Sequence, residues 1–187
     1  GDNSDAAELF RHRSASFARL DSDESTKQQI QDIVLQLEGL PLAIELAAAC
    51  LSTMTLRELH DSLDDQLSTL QGGRRRSRQA TLHQTIQWSF DLLTAEEQNT
   101  LQLLTVFRAA FSSQAAIEVC NLGRSGRFIL QRLVEKSVLS RLEFGGESRF
   151  RMLEPIRQFC LQRDDHSELG GALQRHALFY ADRAKKL

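Results

Sequence analysis

Residues 127–152 read RFILQRLVEKSVLSRLEFGGESRFRM, and the fold class turns on the middle of this stretch. Over 127–136 the apolar residues Phe128, Ile129, Leu133 and Val134 recur at helical spacing, with Arg127, Arg132 and Lys136 on the polar side. That pattern predicts a helix in which Phe128, Leu133 and Val134 are buried. At Val138 the period drops to two. Val138, Ser140, Leu142 and Phe144 alternate with Leu139, Arg141 and Glu143, and Phe150 and Met152 alternate with Arg149, Arg151 and Leu153 beyond Gly145-Gly146. Alternation on both sides of a glycine pair predicts a β-hairpin. A two-residue turn sets Leu142 opposite Arg149. A three-residue loop over 145–147 sets Leu142 opposite Phe150 and Ser140 opposite Met152. The expectation is the three-residue loop, because it keeps both apolar sets on one face.

Three helical patterns lead into this stretch. Residues 81–93 carry Leu82, Ile86, Phe90 and Leu93 on one face, extended by Trp88 and Leu92. Thr94 with Glu97 forms a capping box that opens a helix bearing Leu101, Leu104, Val106 and Phe107. Ser112 or Ser113 caps a short helix through Ala116, Ile117 and Cys120. Successive helices and then a two-stranded hairpin form the order of a winged helix-turn-helix, placed at 80–165. A helix over 155–163, with Pro155 in its first turn, closes that subdomain. A last helix runs from about 167 to 187 on a stripe of Leu169, Leu173, Ala177, Tyr180 and Ala184.

Residues 1–70 read as a separate small helical bundle. Leu9, Phe10, Phe17 and Leu20 mark a first helix; Ser25 with Gln28 resembles a capping box ahead of Ile30, Ile33, Val34 and Leu37. Gly39 is placed as a left-handed C-cap and Pro41 as the first turn of LAIELAAACL, a helix apolar nearly all round and therefore buried. Thr55 and Glu58 cap a further helix with a Leu56, Leu59, Leu63, Leu67, Leu70 stripe. Residues 71–79, QGGRRRSRQ, hold no apolar residue and are the expected linker. Arg74, Arg75, Arg76 and Arg78 could meet phosphates there, but a solvated linker is the favoured reading. The fold class is thus mainly α: a small bundle followed by a winged helix.

Composition supports helices and narrows function. Thirty leucines stand against only 2 prolines and 10 glycines, too few turn-formers for a β-sandwich or barrel. The net charge of −2 argues against a bulk nucleic-acid binder. The three cysteines, Cys50, Cys120 and Cys160, sit among apolar residues without CxxC spacing, as reduced core thiols in a cytoplasmic protein do. No apolar run is long enough for a membrane span. The five histidines lack metal-ligand spacing. A GxxxxGK motif followed by Ser or Thr is absent, as are GxGxxG, HExxH and GxSxG, so no catalytic or metal site is read. Arg124, Arg127, Arg132 and Lys136 could carry the helix before the wing into a major groove. That helix is read as lacking the Asn, Gln or Ser residues that read base edges, and packing into protein is the favoured reading.

Four motifs in order carry a family resemblance: Gly39-Leu40-Pro41-Leu42 followed by AIELAAA, then WSFDLL at 88–93, LVEKS at 133–137, and RFRMLEPIRQF at 149–159. The chain over 5–187 resembles the helical and winged-helix subdomains of STAND nucleoside triphosphatases, including the NB-ARC group, as found in bacterial transcriptional regulators. The resemblance implies that Gly39, Leu40, Pro41 and Leu42 lie on the adenine side of a bound nucleotide, with Pro41 against the ring. It implies a phosphate-side position at Met152, Leu153 and Glu154, where many members carry Met-His-Asp; Leu153 cannot donate the hydrogen bond of that His. It further implies an upstream nucleotide-binding core holding ADP or ATP with Mg, a downstream helical-repeat sensor beginning within 166–187, oligomerisation on activation, and DNA contact through another domain. The leading expectation is a regulatory nucleotide-switch segment with no enzymatic activity of its own. The alternatives are a DNA-binding winged helix and a structural or protein-interaction scaffold.

Overall fold

A computed structural model describes residues 3–68, 78–144, 146–163 and 168–185. The expected linker at 71–79 falls mostly outside them. The chain divides into two compact units, 1–89 and 90–187.

The first unit is built from α1 (Asn3–Ser14), α2 (Glu24–Gln36), α3 (Pro41–Cys50), α4 (Leu56–Ser68) and the first part of α5 (Arg78–Asp91). α1 packs on α2 and α3, and α2 on α4. Helix α3 supplies more of the core than any other helix of this unit: Ala43, Ile44, Leu46, Ala47, Ala48 and Ala49 are buried, together with Phe10, Ile30, Ile33, Val34 and Leu59. Its alanines let neighbouring helices approach closely, as its uniform apolarity implies. The Thr55–Glu58 box forms: Thr55 donates its backbone N–H to Glu58 Oε2 at 2.7 Å, and Glu58 N–H returns to Thr55 Oγ1 at 3.2 Å. The Ser25–Gln28 box does not. Asp23 is the N-cap of α2 and accepts from Thr26 N–H at 3.0 Å, a carboxylate being a stronger acceptor at a helix start than a hydroxyl two residues later. The end of α2 is a six-residue wrap in which Gly39 N–H reaches Val34 C=O and Glu38 N–H reaches Leu35 C=O, both at 3.0 Å. Glu38 (φ 53°) takes the first left-handed position and Gly39 (φ 64°) the next, one residue later than expected for the cap. Glu38 is held there by the Thr81 hydroxyl of α5, which donates to its Oε1 at 2.8 Å.

The second unit contains α6 (Ala95–Leu103), β1 (Phe111–Ser112), α7 (Ser113–Cys120), α8 (Gly126–Glu135), β2 (Ser140–Phe144), β3 (Glu147–Arg151), α9 (Glu154–Leu161) and α10 (Leu169–Ala184). The Thr94–Glu97 capping box and the Ser112 N-cap are both present. The sheet is antiparallel with order β1-β3-β2. A short strand between the first two helices, joined to the hairpin, completes the winged-helix topology; so brief a strand gives no periodic signal.

The hairpin register differs from expectation. Phe144 pairs with Glu147, Leu142 with Arg149 and Arg141 with Phe150, so two residues and not three separate the strands. Gly146 has φ 79°, the positive value such a turn requires. The apolar residues of β2 exert no pull on register because they are not in the core: Leu142 is 41% and Phe144 74% exposed. The buried residues are Val138 and Leu139 before β2 and Met152 after β3. Helix α10 corrects a second expectation. Its stripe of Leu173, Ala177, Tyr180 and Ala184 is exposed, while Ala172 is buried and Arg175 anchors to Val119 C=O at 2.7 Å. His176 sits edge-on to Phe107 on the same side.

The start of α8 lies so close to α7 that a side chain at Gly126 would place its Cβ 2.7 Å from Ile117 Cγ1 and 2.8 Å from Leu122 Cβ. Gly126→Ala should therefore cost about 1–3 kcal/mol despite the higher helix propensity of alanine. Urea denaturation of the two chains measures the difference.

Candidate functional site

The helix before the wing is the natural place to look for a binding face, and its cations divide into two sets. Arg132 and Lys136 lie one turn apart on α8 and both reach Glu97, the last residue of the α6 capping box. Arg132 Nε donates to Glu97 Oε1 at 2.6 Å, and Lys136 Nζ donates to Glu97 Oε2 at 2.8 Å and to Leu92 C=O at 3.3 Å. Glu97 is only 2% exposed. Burial alone would raise its pKa. The hydrogen bonds from Lys136, from Thr94 N–H and from Arg132 prevail and lower it from 4.5 to about 2. Arg132 and Lys136 thus neutralise an internal carboxylate.

Arg124 and Arg127 are exposed. So is Phe128, at 62%, against the expected burial, and Arg132 stacks on its ring at 5.7 Å. The core face of α8 is instead Gly126, Ile129, Leu130 and Leu133. Its exposed face is a mixed one: Arg127, Gln131 bonded to Glu135, and the Phe128 ring, with Arg124 just before the helix start. Between α8 and the hairpin runs a groove lined by Ser112, Gln114, Arg127, Gln131, Arg141 and Phe150. Gln131 stands in the helix expected to lack such base-reading residues; it is exposed and shares the groove with Arg141 and Phe150 of the hairpin.

In the first unit, Pro41 occupies the first turn of α3 with its ring exposed, and Leu40 and Leu42 are half-buried beside it. No side chain caps this helix start. An exposed, rigid apolar ring there fits a flat aromatic ligand. The phosphate-side residues fit less well. Met152 is buried, Leu153 offers no polar atom, and Glu154 is held by Arg157 and Gln158 at 2.5–2.9 Å. None of the three side chains at this position offers a hydrogen-bond donor to a phosphate, and the neighbouring Arg157 is bonded to Glu154.

The described residues hold no group of three His, Cys, Asp or Glu able to take a metal ion. Burial pushes the Cys120 and Cys160 thiols up to about 12, which keeps both protonated and unreactive. Among the described residues, no helix is long and apolar enough to cross a membrane.

The sequence of the chain is similar to those of several mycobacterial proteins. A protein of Mycobacterium tuberculosis and its Mycobacterium bovis counterpart, named provisionally as HTH-type transcriptional regulators, are 35% identical over 164 residues, covering 84% of this chain. An uncharacterized protein of Mycobacterium tuberculosis is 32% identical over 186 residues, covering 92% of the chain. The chain spans 19% of the length of the first two relatives and 46% of the third. No protein-family model matches it.

The buried carboxylate has a measurable signature. Unfolded, Glu97 takes up a proton near 4.5; folded, it resists until about 2. Between these values unfolding takes up a proton, so the stability Glu97 contributes is full above pH 4.5 and lost as pH falls toward 2. Glu97→Gln should cost about 2–4 kcal/mol at pH 7, because it leaves Lys136 and Arg132 without their counter-charge. The gap to the parent chain should close by about pH 2. Denaturant titrations across pH 2–7 on both chains test this.

Proposed function

We propose that this chain is a regulatory segment of a bacterial HTH-type transcriptional regulator, in which the winged helix serves as a protein-contacting relay. The observation that carries the reading is the similarity over 84% of the chain to proteins named as such regulators, joined to a winged-helix unit whose α8 cations are half committed internally. A duplex reader holds its cations free for phosphates and base edges. Here Arg132 and Lys136 face Glu97, and α8 presents a large apolar side chain, Phe128, to solvent. A row of rings, Phe150–Phe111–Phe107–His176–Tyr180, runs from β3 to α10 with centroid spacings of 4.3–6.2 Å. Such a packed row offers a route by which a shift at the wing reaches α10.

The finer reading, a segment that closes over ADP or ATP-Mg held by an upstream core, is supported on its adenine side by the exposed Pro41. It draws no support from Leu153. Cytoplasmic location follows from the same regulator reading.

A second reading, direct DNA binding, is favoured by one observation: Arg124 and Arg127 are exposed, and Arg127 shares a groove with Gln131 and the wing's Arg141. Fluorescence anisotropy at physiological salt separates the two. The relay reading expects less than about tenfold preference for a duplex from the regulator's own promoter over a scrambled one, whereas specific readers typically reach 10³ or more. It also expects Phe128→Ser, in the full-length regulator, to change reporter output while leaving promoter affinity unchanged. A strong preference that Arg127→Ala removes, with a reduced salt slope, would establish the second reading instead.

A further inference from the structure

The open edge of the hairpin is complementary to itself. Strand β2 reads Ser140-Arg141-Leu142-Glu143-Phe144 and lies at the end of the sheet, with β3 on one side. Residues 141–144 are all exposed. Neither proline nor lysine interrupts the strand, the devices that usually protect such an edge. We infer that β2 is a self-association surface that pairs antiparallel with β2 of a second copy about a two-fold axis through Leu142.

Register and charge select this occupant. A two-fold axis at Leu142 sets Leu142 opposite its own counterpart, Arg141 opposite Glu143 of the other copy, and Ser140 opposite Phe144. Both Arg141–Glu143 pairs are of opposite charge and lie directly across, the arrangement that stabilises antiparallel strands. Neither charge is met by its neighbour on β3, where Arg141 faces Phe150 and Glu143 faces Ser148. Arg141 donates to the neutral Ser148 hydroxyl at 2.7 and 3.1 Å, which orients the guanidinium without cancelling its charge.

The backbone agrees. In a two-residue turn the closing C=O accepts from the N–H three residues on, so Phe144–Glu147 is a hydrogen-bonded pair. Alternation then points the backbone groups of Ser140, Leu142 and Phe144 toward β3 and those of Arg141 and Glu143 toward the open edge. On the two-fold pairing, Arg141 and Glu143 of one copy exchange backbone hydrogen bonds with Glu143 and Arg141 of the other. Leu142 faces its counterpart in the non-hydrogen-bonded position, where side chains approach closest. Leu142 and Phe144, 41% and 74% exposed on one face, would then cover each other across the axis. The contact is small, below the area of a stable interface, so association is weak, on the order of 0.1 mM.

Sedimentation equilibrium of the 187-residue chain tests the pairing. Arg141→Glu and Glu143→Arg should each weaken dimerisation by about tenfold or more, since each places like charges opposite one another twice. The double swap restores both ion pairs and should recover dimerisation to within about threefold. A second readout is independent of charge. Leu142→Cys should form an intermolecular disulfide under mild oxidation, because opposed non-hydrogen-bonded residues lie within disulfide reach. Ser140→Cys should not, because its counterpart lies about four residues away along the strand, roughly 13 Å. The native thiols are buried and do not compete. A chain that stays monomeric to about 1 mM overturns the inference, as does a double swap that fails to rescue, or equal cross-linking at 140 and 142. Where a single swap unfolds the chain, the cysteine comparison decides.

Discussion

The second unit depends on one buried carboxylate. Glu97 closes the capping box at the start of α6 and receives Arg132 and Lys136 from α8. A carboxylate at 2% exposure is tolerable only when its charge and lone pairs are met, and here both oxygens are met by cations and by the N-cap amide. The cluster sets the separation of α6 and α8 and the rotation of α8 about its own axis. That rotation decides which residues become core and which become surface. Ile129, Leu130 and Leu133 turn inward, and Phe128, Arg127 and Gln131 turn out. An apolar pair in place of the cluster would bury as well, but it would not specify the rotation, because apolar contacts lack direction.

The helices were legible because their signals are local. Thr55–Glu58, Thr94–Glu97, Ser112 and Pro41 each act within one turn, and each stands where spacing put it. The switch of period at Val138 likewise marked the hairpin. What stayed hidden depends on partners distant in sequence. The three-residue loop follows only if the alternating apolar residues face a core. Leu142 and Phe144 break that premise, so the turn's own geometry sets the register, with Gly146 at φ 79°. Ser25–Gln28 lost to Asp23 because two competing caps stood two residues apart and charge decided between them.

The candidate site was legible to the same degree. Pro41 could be placed at a helix start because its ring fixes a helical φ, its missing N–H costs nothing in a first turn, and Gly39 can take the left-handed conformation that ends α2. The cations of α8 were visible as a group, but their division was not. Arg132 and Lys136 differ from Arg124 and Arg127 only in facing Glu97, some 35 and 39 residues earlier in the chain. A count of positive charges on a helix is therefore a poor guide to nucleic-acid binding until the internal acids are subtracted.

Exposed apolar residues in the second unit carry the complementary lesson. Phe128, the Leu142–Phe144 pair, and Leu173 with Tyr180 lie on three different elements, and each continues a periodic pattern that reads as core. Periodicity reports that a face is apolar; it does not report whether the chain itself covers that face. Single exposed apolar side chains are ordinary on any protein surface. An apolar face that keeps helical or strand spacing over two or more turns or alternations is not, because water contact imposes no period. The exposed stripes of α10 and β2 are therefore better understood as the continuation of packing rules than as lapses from them. On β2 the charges beside the stripe restrict what can complete it.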